Sequence, residues 1–286
     1  MTRTRATAIG FLAVLLWSLL AVLTVGSAPT PPLLLNTICF AIGGTGGLLW
    51  AHFAGGLSVL RRVPFRVYLL GTLGLFGYHA LYFSALRLAP AAEAGLIAYL
   101  WPLLIVVFSG LLPGERVRLG HIVGACVGFA GAALIISGGG SGIQAQFMPG
   151  YLLALVCALT WSSYSILSRL AGAVPTQSVA VFCLAAAALS LPLHLAVEET
   201  IWPSSGLAWT ATILLGLGPV GLAFFVWDIG VKQGDIQVLG TASYAAPILS
   251  TCALVIAGVT PFTASLALAA LMVAGGAMIA TRASRR

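Results

Sequence analysis

Long apolar stretches recur along the whole chain, separated by short connections. Each is close to the roughly twenty residues that a helix needs to cross the hydrocarbon core of a bilayer. Backbone groups in lipid must be hydrogen-bonded within the structure, and these stretches are too long for barrel strands, so the pattern predicts transmembrane helices. Ten are predicted, at 6–25, 32–52, 67–87, 91–112, 119–137, 150–170, 177–197, 207–227, 236–257 and 262–281.

Composition agrees with an all-α integral membrane protein. Hydrophobic residues make up 60% of the 286 residues and charged residues only 7%, whereas about 25% of a soluble domain is charged. The five cysteines fall in apolar segments without CxxC or Cys/His spacing, which favours packing residues and predicts no metal site. No cofactor is predicted. The basic residues are scattered over short loops, which argues against a nucleic-acid partner.

The placement of basic residues predicts the orientation. With the N-terminus in the cytoplasm, twelve of the thirteen Lys and Arg residues lie inside and only Arg87 lies outside, as the positive-inside rule requires. Glu198 and Glu199 then fall in an outside loop. The first segment, preceded by Arg3 and Arg5, is longer than a typical signal-peptide core. An even number of crossings places both termini in the cytoplasm, and the lipid bilayer is expected to be the bacterial inner membrane.

A weak internal repeat divides the chain into residues 1–143 and 144–286. Each half holds five predicted helices, and because five is odd, the second copy must be inverted, as in many secondary transporters. The alternative is coincidence, since glycine alone accounts for 34 residues. At a shift of 145 the matching pairs are Gly71 with Gly216, Gly95 with Gly240, Tyr99 with Tyr244, Pro102 with Pro247 and Gly131 with Gly276, and Trp17-Ser18 meets Trp161-Ser162 at a shift of 144.

Two prolines and a set of aromatic residues are candidates for a substrate site. Pro102 and Pro247 lie inside apolar segments, where each is predicted to kink its helix; either could be a packing kink alone. The aromatic residues are placed at mid-membrane depth and predict an aromatic-lined central cavity, with core packing as the alternative for any one of them. These candidates are Trp17, Tyr78, Tyr82, Tyr99, Trp101, Trp161, Tyr164 and Tyr244.

His79 is the one ionisable residue predicted deep within an apolar segment, which makes it a candidate substrate contact. A hydrogen-bonded structural histidine is the alternative. The other charged residues near segment ends are interpreted as anchors or loop charges; they are Arg87, Glu93, Glu115, Asp228 and Asp235.

Enzyme motifs are missing from the sequence. It contains no P-loop, HExxH motif, pair of catalytic acids or nucleophile elbow. We therefore predict no catalytic residues and no enzymatic activity, and expect a transporter of a small-molecule substrate rather than an ATP-driven pump. A non-transporting membrane enzyme or scaffold is the alternative from a different class.

The stretch 85–136 resembles the EamA repeat of the drug/metabolite transporter superfamily, through Pro102, Glu115-Arg116, Gly124 and Gly131. The second half keeps Pro247 and Gly276 but lacks the Glu-Arg pair. The N-terminal MTRTRATAIGFLAVLLWS, Tyr99-Leu100-Trp101-Pro102 and Ser243-Tyr244 followed by Pro247 are similar to aromatic amino-acid exporters of that superfamily. The resemblance implies export of Phe, Tyr, Trp and related amphiphiles through a cavity between the two halves, by alternating access. Export of a different metabolite or drug remains the alternative.

The orientation can be tested with reporters fused before Met1 and after Arg286. Both should report the cytoplasm, because twelve basic residues are retained there. A periplasmic reporter at the C-terminus would contradict the count of ten helices.

Overall fold

The computed structural model describes residues 1–54, 57–136, 144–256, 258 and 262–285. Within this part the chain is helical and no β-strand occurs. The α-helices are α1 (Arg3–Trp17), α2 (Leu20–Gly26), α3 (Pro32–Ala54), α4 (Phe65–Leu88), α5 (Ala91–Ala98), α6 (Trp101–Phe108), α7 (Leu119–Ile136), α8 (Met148–Leu170), α9 (Ser178–Val197), α10 (Gly206–Leu217), α11 (Ala223–Gln233), α12 (Ile236–Ala242), α13 (Ala245–Ile256) and α14 (Ala264–Arg285).

The helices have the lengths that a bilayer requires. Among the described residues, nine helical stretches are long and apolar enough to cross a membrane, and Leu119–Leu134 in α7 is a shorter apolar helix. Four of the nine stretches combine two helices each: α1 with α2, α5 with α6, α10 with α11, and α12 with α13. The prediction of an all-α membrane protein is confirmed. The count of ten crossings, the inverted relation of the halves and the cytoplasmic termini stay predictions.

Interrupted helices are the main departure from the expected pattern. The chain leaves α-helix at Tyr99–Leu100 between α5 and α6, and at Ser243–Tyr244 between α12 and α13. Pro102 and Pro247, which were predicted to kink continuous helices, instead lie in the first turns of α6 and α13. A proline is tolerated there because first-turn N–H groups have no partner within the helix.

The hydroxyl of Tyr244 supplies a partner for the backbone at one of these interruptions. It accepts a hydrogen bond of 3.0 Å from the backbone N–H of Leu103 in the first turn of α6. Tyr244 is fully buried. A donor that would otherwise face the apolar interior is thereby satisfied, which makes the break compatible with a membrane environment.

Glu198 joins three helices at the end of α9. Its carboxylate accepts hydrogen bonds from the backbone N–H groups of Leu33 and Leu34, at 3.1 and 3.3 Å, where α3 begins. It also pairs with Arg87 at the end of α4, at 3.2 Å, and with Nδ1 of His194, at 2.9 Å. A carboxylate at a helix N-terminus is favoured by the helix dipole, so Glu198 fixes the end of α3 against α4 and α9.

Asp228 and Lys232 form a buried pair, which the sequence did not reveal. The apolar segment was predicted to end at 227, but α11 continues to Gln233. Asp228 lies 2.8 Å from Lys232, and the two side chains are 1% and 3% exposed. The prediction that Asp228 is a loop or anchor charge is therefore wrong. The carboxylate is tolerated because it also accepts hydrogen bonds from the hydroxyls of Ser168 and Thr176, at 2.9 and 2.7 Å.

Replacing Glu198 with Ala should lower the stability of the folded protein. The change removes a carboxylate that is 3% exposed and leaves the α3 N-terminus and His194 without an acceptor, at an expected cost of about 2–3 kcal/mol. The apparent Tm of the detergent-solubilised protein measures the effect. Glu199→Ala at the exposed neighbouring position is the matched control, and equal Tm values for the two variants would contradict the prediction.

Candidate functional site

A cavity of about 400 Å³ lies among the interrupted helices. Its volume falls within the range of small-molecule sites, about 300–1,000 Å³. Most of its lining is aromatic or aliphatic. The lining residues are Trp17, Leu20, Ala21, Tyr78, His79, Tyr82, Phe83, Tyr99, Trp101, Ile136, Trp161, Pro219, Val220, Phe224, Ala246, Pro247, Ser250 and Thr251.

One side of the cavity is a cluster of aromatic rings centred on Trp17. The Trp17 ring centroid lies 5.8 Å from that of Trp161, 6.1 Å from Trp101 and 6.2 Å from Phe224. Behind them the buried Trp227 lies 5.2 Å from Trp17 and donates its indole N–H to Ser165. These five rings, Trp17, Trp101, Trp161, Phe224 and Trp227, are called the aromatic cluster below. They come from four different helices, so the cavity wall forms only when the whole bundle assembles.

The helix α4 contributes a second aromatic face. Tyr78 and Tyr82 are one helical turn apart and stack at 6.1 Å with an angle of 8° between the rings, as their i,i+4 spacing indicates. Tyr78 also lies 5.5 Å from Trp161. The stacked pair therefore continues the aromatic surface from the aromatic cluster along α4.

His79 stands between Tyr78 and the rings of Phe40 and Phe224. Its ring centroid is 5.1 Å from Phe40 and 6.2 Å from Phe224. Nδ1 lies 2.8 Å from the carbonyl oxygen of Leu75 one turn earlier. Because a carbonyl only accepts, Nδ1 carries the proton, and in the neutral ring Nε2 is then an acceptor.

The structure brings seven of the nine predicted site residues to this cavity and places two elsewhere. Tyr164 is buried against Gly74 and lines a separate small cavity with Asp228. Tyr244 packs on Phe129 at 5.9 Å and directs its hydroxyl to Leu103. Both rings are therefore used in helix packing. Pro247 lines the cavity and Pro102 does not. The seven lining residues are Trp17, Tyr78, His79, Tyr82, Tyr99, Trp101 and Trp161.

Sequence reasoning missed several lining residues. Phe83 and Phe224 carried no signal, because a phenylalanine that faces a cavity has the same sequence pattern as one that faces lipid. Ser250 and Thr251 did carry a signal: they follow Pro247 by three and four residues and so share its helix face. They are the hydroxyl groups that α13 adds to the wall.

The polar chemistry of the cavity is neutral. Among the described residues that line it, none is Asp, Glu, Lys or Arg. The available groups are tyrosine and Ser/Thr hydroxyls, the His79 imidazole, and backbone groups at the helix breaks. The described residues also contain no group of three or more His, Cys, Asp or Glu side chains that could hold a metal ion. The arrangement can bind a planar amphiphile without covalent chemistry.

Comparison with known proteins agrees with this architecture. A model of the EamA-like transporter family matches residues 4–137 and 148–282. The aromatic amino acid exporter YddG of Ancylobacter novellus is 52% identical over 289 positions, and the alignment covers the whole of both chains. The aromatic amino acid exporter YddG of Escherichia coli K12 is 26% identical, again over the whole of both chains. A solved crystal structure with 52% sequence identity matches with a TM-score of 0.94 over the full length of both chains.

Replacing His79 with Gln should preserve more ligand binding than replacing it with Leu. Gln keeps a hydrogen-bonding group at the cavity wall, whereas Leu keeps only bulk, and one neutral hydrogen bond corresponds to about 0.5–1.5 kcal/mol. Titration calorimetry of the purified protein with tryptophan measures the difference. His52→Leu, at an exposed position on α3, is the control and should bind as the native protein does. Equal, near-native affinity of the Gln and Leu variants would remove His79 from the contact set.

Proposed function

Because the chain belongs to the EamA-like transporter family, we propose that it exports aromatic amino acids and similar small amphiphilic metabolites from the cytoplasm. The observation that carries the proposal is the cavity of about 400 Å³ whose wall is largely aromatic. The two YddG relatives, named as aromatic amino acid exporters, support this choice of substrate.

The neutral wall fits the proposed substrate in two ways. Rings of Phe, Tyr or Trp can pack against the aromatic cluster, at about 0.5–1.5 kcal/mol for each favourable ring pair. An ammonium group is attracted by the faces of Trp and Tyr rings and by backbone carbonyl groups. Three such contacts give a modest affinity, which allows a carrier to release its cargo.

The membrane arrangement that we propose has ten crossings, two inverted halves at 1–143 and 144–286, and both termini in the cytoplasm of a bacterial inner membrane. The breaks beside Tyr99 and Tyr244 support it, because these tyrosines match at the repeat shift of 145. The pair of Arg87 with Glu198 at 3.2 Å also supports it. Arg87, the one basic residue assigned to the outside, then pairs with an acidic residue, Glu198, on the same side of the membrane.

Alternating access is the proposed mechanism, and polar contacts between the halves mark where the cytoplasmic side closes. Glu115 of the first half pairs with Arg3, at 3.1 Å, and with Arg169 of the second half. The oxygen that faces Arg3, Oε2, also accepts from the side-chain amide of Gln237 at 3.2 Å. Arg3 also reaches Asp235 at 3.4 Å. In the proposed orientation these groups lie on the cytoplasmic side, and the opening that admits substrate must separate them.

Opening need not cost much in the contacts of Arg3. Arg3 is 53% exposed, and an exposed ion pair contributes at most about 1 kcal/mol. Water can replace several of these contacts as the halves move apart. The buried pair of Asp228 and Lys232 lies on one helix, four residues apart. The other partners of Asp228, Ser168 and Thr176, also belong to the second half, so the pair can move with that half as a unit.

Counterflow in proteoliposomes loaded with a panel of amino acids tests the proposal. Tryptophan, phenylalanine and tyrosine should exchange, while alanine, glutamate and lysine should not, because the described residues of the wall offer aromatic surface and no charged side chain. Trp101→Ala should lower tryptophan exchange about fivefold, the value of one ring contact of about 1 kcal/mol. Trp202→Ala changes an exposed tryptophan outside the cavity and should leave exchange unchanged.

Two results would overturn the proposal. One is exchange without preference for aromatic side chains, which would favour a different metabolite or drug as substrate. The other is the absence of exchange for every solute in the panel from protein that is folded and inserted, which would favour a non-transporting role.

A further inference from the structure

A π-helical turn interrupts the span that begins at Gly206. The turn covers Gly218–Leu222 and joins α10 to α11. The backbone N–H of Ala223 donates to the carbonyl of Gly218, five residues earlier. In a continuous α-helix the same N–H would donate to Pro219, four residues earlier. The π-helical turn therefore leaves the Pro219 carbonyl without its usual donor from the next turn.

The indole of Trp17 supplies a hydrogen-bond donor for this carbonyl. Its Nε1–H donates to the carbonyl oxygen of Pro219 at 3.1 Å, across 202 residues of sequence. Trp17 ends α1, directly before the chain leaves α-helix at Ser18. Both Trp17 and Pro219 line the cavity. The bond thus ties the centre of the aromatic cluster to the carbonyl that loses its α-helical donor in the π-helical turn.

Close packing against α3 holds the turn in place. A Cβ at Gly221 would lie 2.2 Å from the carbonyl oxygen of Gly216 and 3.0 Å from the Cα of Gly43. A Cβ at Gly43 would in turn lie 2.6 Å from the Cα of Gly221. Contacts this short leave no room for a side chain, so the turn cannot shift toward α3. π-Helical turns inside α-helices are frequently found at functional sites.

We propose that the π-helical turn is a specificity element: the Pro219 carbonyl fixes the orientation of Trp17 and thereby sets the space for the substrate ring. Pro219 acts as a positioning residue and Trp17 as the contact. A bicyclic indole needs more of the cavity than a single ring, so an unanchored Trp17 penalises tryptophan more than phenylalanine. The inference rests on the proposed function and names the element that discriminates among its substrates.

The test compares KM for tryptophan and phenylalanine in proteoliposomes. Pro219→Ala restores an N–H and favours a regular α-helix, and should raise KM for tryptophan relative to phenylalanine about three- to tenfold, the equivalent of one neutral hydrogen bond. Trp17→Phe removes the donor, so adding Pro219→Ala to Trp17→Phe should shift the KM ratio no further. An unchanged KM ratio, or independent shifts that add in the double variant, would overturn the inference.

Two further variants separate this effect from general damage to the bundle. Pro192→Ala removes another proline inside a transmembrane helix, at an exposed position outside the cavity, and should leave the KM ratio as in the native protein; an equal shift there would overturn the inference. If Pro219→Ala does not assemble, Trp17→benzothienylalanine keeps the ring shape, removes only the N–H and should give the same shift.

Failure of the inference is distinguishable from failure of the proposed function. A native protein that exchanges both amino acids while every variant keeps its KM ratio refutes the role of the π-helical turn alone. A native protein that exchanges neither refutes the proposed function, and the specificity element with it.

Discussion

Every backbone N–H and C=O group that lies in lipid needs a partner inside the protein, and this constraint determines where the cavity can form. A regular helix satisfies its own groups, but it offers a ligand only side chains. At Tyr99–Leu100, at Ser243–Tyr244 and at the π-helical turn, the α-helical pattern is interrupted. Residues beside these three interruptions, and beside the break at Ser18–Leu19 between α1 and α2, line the cavity. The cavity therefore lies where the backbone pattern is locally broken and repaired by other groups.

The repairs come from aromatic side chains with a polar atom at one end. Tyr244 accepts from Leu103, and Trp17 donates to Pro219. Each ring contributes apolar surface to the bundle, while its hydroxyl or N–H satisfies the backbone. An aliphatic residue could do only the first of these, and a serine only the second. The abundance of Trp and Tyr around the cavity thus serves the fold as well as any ligand.

Matching positions in the two halves do not have matching environments. Tyr99 and Tyr244 are equivalent at a shift of 145, yet Tyr99 lines the cavity while Tyr244 is buried and bonded to α6. Both were assigned to the cavity because they lie at mid-membrane depth in their apolar segments, and depth alone does not distinguish these two environments. Under the proposed alternating access, a structure in one state need not be symmetric, because only one end of the cavity is closed at a time.

Particular residues show how much of the fold and of the site could be predicted from the sequence. Apolar length predicted the membrane class and located the helices, because the bilayer imposes that length on any sequence. Position near the middle of an apolar segment also selected Trp17, Trp101 and Trp161. A tryptophan far from both membrane interfaces needs surroundings that satisfy its indole N–H. The π-helical turn could not be predicted, because Gly218-Pro219 within an apolar segment has the same pattern as a kinked helix. Asp228 was misassigned because its stabilising partners, Ser168 and Thr176, are distant in sequence.

The separation of charge from the cavity follows from the cost of desolvation. A charged side chain in the wall would have to be paired or solvated whenever the cavity is empty, and a lone buried charge costs several kcal/mol. Two buried acids are instead neutralised away from the wall, Glu198 at one end and Asp228 within α11. An amino acid, the substrate that we propose, would leave part of its hydration shell on entry with no full charge to compensate, so ring packing must supply the gain. The affinity for the proposed substrate is therefore modest on both sides of the membrane. A modest affinity allows a carrier to release its substrate.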